Sequence, residues 1–166
     1  MMSDFKSILE VALSFEKSGR EFYKNNMQNV NQSVAKKTFE YLMEMEDSHV
    51  KFIEGMIEAL EDNKKVDFVL QEEAEEIFVE RLESQALSDN SYSSDLADLS
   101  ILRMAYLIER DFVDYYENAS KKVEDTSAKK LMVKLMNWEK GHVTLVRDLM
   151  EKIYEKNAID LGFYPF

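Results

Sequence analysis

The amino-acid sequence predicts an all-helical protein, a four-helix bundle built from two similar helical hairpins. The 166 residues include only four Gly and one Pro, whereas Glu, Lys, Leu, Met and Ala, which favour helices, are plentiful. Apolar residues recur at spacings of three and four along four long segments, as they do on one face of a helix. The second half of the chain also repeats a pattern of the first half after 93 residues.

The first half of the chain is predicted to form a hairpin over residues 5–62. Each of its helices carries an apolar stripe, and a polar segment rich in Gln and Asn lies between them. Asp4 or Ser3 could cap the first helix by accepting a hydrogen bond from a free first-turn N–H. The predicted elements are a helix over residues 5–27, a turn over 28–32 and a helix over 33–62.

A crossover over residues 63–94 is predicted to join the two hairpins. Residues 71–87 show helical spacing, and the Ser-rich segment 88–94 is a loop. A connection of this length can carry the chain back along the bundle, so the second and third main helices would run parallel. The loop is too short for a domain linker, and we therefore expect one domain over residues 1–166.

The second hairpin is predicted over residues 95–156, with the same design as the first. Thr126 or Ser127 could cap its second helix. The tail, residues 157–166, is apolar and aromatic and would pack on the bundle or on a second subunit. The predicted elements are a helix over residues 95–122, a turn over 124–126 and a helix over 128–156.

The two histidines of the chain occupy equivalent places in the two halves. Each follows a glutamate by three residues, which puts both side chains on one side of a helix. A further glutamate lies thirty residues before each of these pairs, so that each turn falls near the midpoint of its two glutamates. All six side chains would then meet at one level, roughly 20 Å from the turns at 1.5 Å per residue. They are Glu16, Glu46, His49, Glu109, Glu139 and His142.

The residue types of this set point to a pair of metal ions. Four carboxylates close together in an apolar interior would repel one another strongly. Two divalent cations would neutralise them, and four carboxylates with two imidazoles suit iron or manganese, with positions left open for a small reactant. We therefore predict two iron ions, with manganese or a mixed pair as alternatives.

The motifs resemble the ferritin-like di-iron carboxylate proteins, and among these the rubrerythrin-related group. The resemblance implies a ferritin-like bundle in which Glu46 and Glu139 bridge the two metals. It implies that Glu16 and His49 complete one metal position, and that the equivalent pair from the second half completes the other, namely Glu109 and His142. The resembling stretches span all four main helices and are residues 15–23, 46–49, 108–116 and 139–142.

Three aromatic residues lie near the predicted ligands in the sequence. Tyr23 and Tyr116 each follow a ligand by seven residues and so stay on the ligand face. They could donate hydrogen bonds to ligand carboxylates, or could be core aromatics with a satisfied hydroxyl group. Trp138 directly precedes Glu139 and is predicted to pack in the core or at an interface.

Two features differ from rubrerythrins proper. Those proteins carry an extra glutamate one turn after the third-helix ligand, where this chain has Phe112. They also carry a Cys-rich rubredoxin-type iron domain, whereas this chain has no Cys. The position in the first half that matches Phe112 is Gly19, which would either make space near the metals or allow close helix packing.

The resemblance implies a redox reaction of the di-iron centre with peroxide or O₂, as in oxidative-stress defence. Electrons would come from an external donor such as a rubredoxin-like protein. Three alternatives remain open: ferroxidase and iron storage in a ferritin-like shell, a hydroxylase with an organic substrate, and a non-catalytic structural bundle with buried ion pairs.

Charge and hydropathy limit the environment of the protein. A net charge of −12 would repel a phosphate backbone, so no nucleic-acid partner is expected. No window approaches 18 uncharged apolar residues, and the first residues lack the apolar region of a secretion signal. We expect a cytoplasmic protein that forms a homodimer.

Overall fold

The computed structural model describes residues 2–64, 79–82 and 84–157, and within these residues all regular structure is helical. The fold class predicted from the sequence, an all-helical ferritin-like bundle, is confirmed. A short helical segment, residues 79–82, lies in the crossover. The four long helices are α1 (Met2–Asn26), α2 (Ser33–Glu61), α3 (Tyr92–Lys122) and α4 (Thr126–Lys156).

The helices pack most extensively within the two hairpins, α1 with α2 and α3 with α4. Helix α1 also packs on α3, whereas α2 meets α4 over a shorter stretch. Contacts between α1 and α3 run in opposite order along the chain, because Ile8 meets Tyr115 while Tyr23 meets Glu109. Helix α3 is therefore antiparallel to α1 and parallel to α2, as the long crossover predicts.

The predicted cap of α4 is wrong by one or two residues. Asp125 is the N-cap, and its carboxylate accepts a hydrogen bond from the N–H of Ala128 at 2.8 Å. Thr126 and Ser127 lie inside the first turn instead. Three successive residues can each cap a helix, so the sequence predicted the place of the cap but not the residue.

The starts of α1 and α3 also lie earlier than predicted. Helix α1 begins at Met2, so that Ser3 and Asp4 belong to its first turn and do not precede it. Helix α3 is capped by Ser91, whose hydroxyl accepts a hydrogen bond from the N–H of Ser94 at 3.2 Å.

Only part of the predicted crossover can be compared with the structure. Residues 79–82 are helical, within the predicted helix over residues 71–87, and residues 84–91 form no helix. The remainder of that predicted helix, residues 71–78 and 83, lies outside the described residues, as does the tail beyond residue 157. Within the described part of the chain, no helix combines the length and the apolar character that crossing a lipid bilayer requires.

The apolar core is divided into two clusters with a polar layer between them. One cluster lies toward the α1–α2 turn and includes Phe39, Leu102 and Leu149. The other lies toward the α3–α4 turn and includes Leu9 and Ile53. The predicted metal ligands fall between these clusters along every helix, so apolar residues enclose the layer from both ends of the bundle.

A network of polar side chains ties the helices together at the end where α3 begins. The Asp98 carboxylate accepts hydrogen bonds from the N–H groups of Asn31 and Gln32, both at 2.7 Å. The Gln32 side chain donates to Asp95 at 2.8 Å, and the Lys156 ammonium donates to the other oxygen of Asp95 at 2.7 Å. This network connects the α1–α2 turn with the start of α3 and the end of α4.

Candidate metal centre

The structure brings the six predicted ligands together in one buried layer at mid-height of the bundle. None of these residues is more than 3% exposed. The spacing of three residues places glutamate and histidine one turn apart on α2 and again on α4. Helix α1 contributes Glu16, α2 contributes Glu46 and His49, α3 contributes Glu109, and α4 contributes Glu139 and His142.

His49 turns its Nδ1 atom toward the carboxylates. This atom lies 3.2 Å from Glu16 Oε2, 3.1 Å from Glu139 Oε1 and 3.6 Å from Glu46 Oε2. Three helices therefore supply the carboxylates around one imidazole nitrogen. A metal ion placed among these atoms would have oxygen and nitrogen donors on several sides.

His142 has the same surroundings in the other half of the layer. Its Nδ1 atom lies 3.1 Å from Glu139 Oε2, 3.4 Å from Glu46 Oε1 and 3.6 Å from Glu109 Oε2. Glu46 and Glu139 thus approach both histidines with different oxygen atoms. Glu109 lies near His142 and Glu16 lies near His49, so each of these two glutamates faces one histidine.

Two sets of potential ligand atoms follow from these contacts. In each set the ligand atoms all lie within 4.8 Å of one another, which is close enough for one ion to contact them all after small side-chain shifts. Both sets contain the two glutamates that face both histidines. The sets are Glu16, Glu46, His49 and Glu139, and Glu46, Glu109, Glu139 and His142.

The two tyrosines connect the hairpins through this layer. The Tyr23 hydroxyl donates a hydrogen bond to Glu109 Oε1, and the Tyr116 hydroxyl donates to Glu16 Oε1. Burial, and next to it the accepting glutamate, raises the pKa of each tyrosine well above 10, so both hydroxyls keep their protons. The structure thus shows the first of the two interpretations given for these tyrosines, in which each hydroxyl donates a hydrogen bond to a predicted ligand carboxylate.

Several polar atoms of the layer lack a hydrogen bond among the described residues. They include both carboxylate oxygens of Glu46 and the Nε2 atom of His49. Burying a carboxylate without a compensating partner is costly, and buried charges in proteins are usually paired or bound to metal. The donor atoms, their burial and their missing hydrogen bonds fit a pair of divalent cations.

The protonation of the layer reflects its excess of carboxylates. Burial, with Glu139 next in size, raises the pKa of Glu46 well above its usual 4.5. Burial also raises the pKa of Glu109 to about 7, against the opposing effect of His142. For His49, burial lowers the pKa, but the surrounding carboxylates outweigh burial and hold the pKa well above 6.5. Protons therefore offset the negative charge without metal, and an entering cation would displace them.

The histidine rings are part of a column of rings that the sequence did not predict in detail. Trp138 stacks on His49 with ring centroids 4.8 Å apart and planes 15° apart. His49 in turn stacks on His142, at 5.8 Å and 10°. Tyr41 meets His142 edge-on, at 6.4 Å and 78°. Trp138 was predicted to pack in the core or at an interface; it is half-buried, packs against the core cluster that includes Leu9 and Ile53, and contacts a predicted ligand.

Gly19 and Phe112 lie against each other beside the carboxylates. A Cβ atom added to Gly19 would lie 2.9 Å from two carbons of the Phe112 ring and 3.6 Å from Glu46 Cδ. The missing side chain of Gly19 thus makes room for a buried ring next to a ligand. The same ring stacks on Phe15, at 5.9 Å and 29°, and Phe15 is 36% exposed.

Comparisons with known proteins agree with this geometry. The family model described as rubrerythrin matches residues 7–150, a segment that includes the whole buried layer. A solved structure of a hypothetical protein from Pyrococcus furiosus is similar in fold, with a TM-score of 0.67 at 20% identity, over 92% of this chain and 91% of that one. A search of curated proteins gave no match. The chain belongs to the rubrerythrin family.

Proposed function

We propose that the protein is a non-haem di-iron protein whose centre reacts with peroxide or O₂, in the manner of oxidative-stress defence. The observation that carries this proposal is the buried layer of four carboxylates and two imidazoles at one level of the bundle. Oxygen-rich donor sets with imidazole suit iron, and such sets leave positions open for a small molecule.

The positions of the side chains support a role for each glutamate. Glu46 and Glu139 face both histidines with different oxygen atoms, so they would bridge the two ions. Glu16 and Glu109 each approach one histidine and would hold one ion each. Each histidine would bind through Nδ1, the ring atom that faces the carboxylates.

The tyrosines and the apolar core would control what these ligands can do. Glu16 and Glu109 each give one oxygen to a tyrosine hydroxyl, which leaves the other oxygen facing a histidine. Such hydrogen bonds fix the direction of a metal-binding carboxylate. The apolar clusters above and below the layer would keep bulk water away from the centre.

Two bound iron ions would together supply two electrons to one oxidant molecule. These 166 residues contain no Cys, so they hold no thiolate-bound iron that could store electrons beside the layer. We therefore infer that the electrons come from outside these residues, from a one-electron donor such as a rubredoxin-like protein.

The test of this proposal is metal content followed by reoxidation kinetics. Protein reconstituted with Fe(II) without oxygen should bind two ions per chain, and then be reoxidised by peroxide or O₂ at rates measured by stopped-flow absorbance. Glu46→Ala and His142→Ala should lose bound iron, whereas Glu58→Ala, on the outer side of α2 away from the layer, should not. A content below one ion per chain that neither variant changes would rule the proposal out.

The assembly distinguishes this function from iron storage. We propose a homodimer, supported by exposed apolar side chains on the two neighbouring helices α1 and α3: Val11 and Phe15 on the first, Met104 and Leu107 on the second. Light scattering of the purified protein should give the mass of two chains. A hollow shell of many chains would instead favour the ferritin-like alternative.

A further inference from the structure

We propose that Phe112 determines which reactants the centre accepts, by closing the layer on the side opposite the histidines. Its ring would leave room among the ligands for an oxidant of a few atoms, such as peroxide or O₂, and would exclude an organic substrate. This inference rests on the proposed di-metal function and narrows its substrate class. Phe112 is a specificity-determining residue, because its ring would contact a reactant bound on that side.

An approximate two-fold axis relates the two hairpins and passes through the layer. The Tyr23 hydroxyl donates a hydrogen bond to Glu109. The repeat relates this pair to Tyr116 and Glu16, which form the same hydrogen bond. Two residues that the repeat relates, and that also touch each other, lie on either side of the axis. Such contacts therefore mark where the axis enters and leaves the layer.

The axis meets the histidines on one side of the layer and Phe112 on the other. His49 of α2 and His142 of α4 are related by the repeat and stack on each other at 5.8 Å. Gly19 of α1 and Phe112 of α3 are also related by the repeat, and they touch. Helices α1 and α3 carry no histidine. A reactant on the α1–α3 side would therefore displace no imidazole, and it would meet Phe112 near the axis.

The contact at Gly19 shows how completely the ring fills this side. A Cβ atom added there would lie 2.9 Å from two carbons of the Phe112 ring and 3.6 Å from Glu46 Cδ. The gap between α1, the ring and the Glu46 carboxylate thus has no room for one methyl group. No part of a larger substrate can extend from the layer toward α1 at this point while the ring is in place. A reactant is therefore limited to what fits among the ligand atoms themselves.

The Phe112 ring is held in place by its neighbours. It is 3% exposed and stacks on Phe15 at 5.9 Å and 29°. The Phe15 ring in turn meets Tyr115 edge-on at 4.9 Å, and the Tyr115 hydroxyl donates a hydrogen bond to the carbonyl oxygen of Ile8 at 2.7 Å. Side chains packed in this way keep well-defined positions. The ring would hence stay in place when a reactant arrives.

Ligand binding to the Co(II)-loaded protein tests this inference without turnover. Co(II) binds such donors, and its visible absorption bands respond when a further ligand coordinates. Azide is a small linear anion, whereas benzoate is an anion that carries a ring of the size of the phenylalanine ring. Wild-type protein loaded without oxygen should respond to azide and should show no response to benzoate.

Two variants of Phe112 enlarge the space beside the ligands by different amounts. Phe112→Ala should admit benzoate, because the missing ring leaves an apolar space that the benzoate ring can fill. Its affinity for benzoate should exceed that of the wild type by about 10- to 100-fold, the gain expected from burying one apolar ring. Phe112→Leu keeps more of the apolar volume and should show a smaller gain. Azide should bind both variants as it binds the wild type.

Ile153→Ala is the control for the loss of core volume as such. Ile153 is buried, but it lies about 16 Å along α4 from His142 at 1.5 Å per residue. This variant should respond to azide and show no response to benzoate. Circular dichroism would verify that each variant is folded. A crystal structure of Phe112→Ala with benzoate should show the benzoate ring in the place of the Phe112 ring.

The outcomes distinguish this inference from the proposed function. If the wild type or Ile153→Ala binds benzoate as Phe112→Ala does, or if both folded Phe112 variants bind azide but not benzoate, the role of Phe112 is overturned and the di-metal centre is unaffected. Loss of Co(II) from folded Phe112→Leu would also overturn it, since the ring would then be needed to hold the ligands. If no Co(II) or Fe(II) binds to the wild type, the proposed function fails and this inference fails with it.

Discussion

Glu46 shows at the scale of one residue how a candidate metal site would lower the stability of the metal-free fold. Both of its carboxylate oxygens are buried without a hydrogen bond to any described residue, and burial together with Glu139 raises its pKa. A carboxyl group in this position lowers the stability of the metal-free protein. A bound cation would compensate for this loss by pairing with the carboxylate.

We therefore predict that Glu46→Gln stabilises the metal-free protein while it weakens metal binding. The free energy of unfolding should rise by about 1 to 3 kcal/mol near neutral pH, because a neutral amide replaces a buried acid among other acids. The pKa in the folded state lies above 4.5, so the wild type loses stability as pH rises from that value toward the folded pKa.

The difference in the free energy of unfolding between the variant and the wild type should hence be larger near pH 8 than near pH 5. Urea denaturation at both pH values, with chelator present, measures this difference. Glu58→Gln, on the same helix but away from the layer, is the control and should change little. A Glu46→Gln protein that is less stable than the wild type near pH 8 would contradict this view of the layer.

Gly19→Ala tests the contact with Phe112. Alanine favours a helix over glycine by about 1 kcal/mol. The new Cβ would lie 2.9 Å from the buried ring, so we expect a net loss of about 1 to 3 kcal/mol from overpacking. The loss should vanish in a Phe112→Leu background, and a double-mutant cycle from chemical denaturation measures this coupling.

Two other glycines serve as controls for this substitution. Among the residues that the structure describes, an added Cβ at Gly55 or at Gly141 would meet nothing within 4 Å. Alanine at either position should leave stability unchanged or raise it by up to about 1 kcal/mol. Equal effects at all three glycines would show that the ring contact is not the cause.

The sequence predicts the six members of the layer and the two tyrosines that donate to them, but not the other side chains around them. Their positions follow from helical spacing and from the repeat, both of which can be counted along the chain. The stacking of Trp138 on His49 depends on the lateral distance between α2 and α4, and the contact of Gly19 with Phe112 on that between α1 and α3. No periodicity encodes these distances, since they result from the packing of the whole bundle.

The polar network around Asp95 acts at the scale of helices, because it joins the turn of one hairpin to both ends of the other. Burial raises the pKa of Asp95, but hydrogen bonds from Lys156, Asn157 and Gln32 outweigh burial and hold the pKa below 3.8. The carboxylate therefore stabilises the fold above its unfolded pKa. This contribution is lost as pH falls through the lower, folded value.

We predict that Asp95→Asn lowers the free energy of unfolding near neutral pH by about 1 to 3 kcal/mol, because the Lys156 ammonium loses its charged partner. As the pH falls below the unfolded pKa of Asp95, the difference from the wild type should shrink. Denaturation curves across the acid range measure it. Asp111→Asn, at an exposed position of α3, is the control. A difference that grows toward low pH would contradict a lowered pKa for Asp95 in the folded protein.

Helix number and order follow from the sequence more directly than the helix ends do. Asp125, Thr126 and Ser127 are all suitable caps, and the structure selects the first. The hydrogen bonds of Asp98 to Asn31 and Gln32 join residues far apart in the chain, and nothing in the local pattern at either place indicates the other. Long-range polar contacts of this kind emerge only once the helices are placed.

At the scale of the whole molecule, metal binding and folding should be coupled. An ion that binds only the folded state stabilises it, by about 4 kcal/mol at a concentration a thousand times Kd. For a chain of this size we therefore predict that saturating Fe(II) or Co(II) without oxygen raises the Tm by about 10 °C.

Thermal unfolding followed by circular dichroism, with and without chelator, measures this shift. Chelator should reverse it fully, and the Glu46→Ala variant should show little of it. An unchanged Tm at saturating metal would mean that the buried layer does not bind these ions in the folded protein.

The pair formed by Gly19 and Phe112 has a further consequence for how the two hairpins recognise each other. These residues occupy equivalent positions in the repeat, and they touch. Two copies of the first hairpin would bring two glycines together and leave a gap, whereas two copies of the second would force two phenylalanine rings into the space of one. The predicted ligands are arranged almost symmetrically, yet this contact between glycine and phenylalanine forms only between the first hairpin and the second. The contact therefore favours pairing of the two different hairpins over pairing of two identical ones.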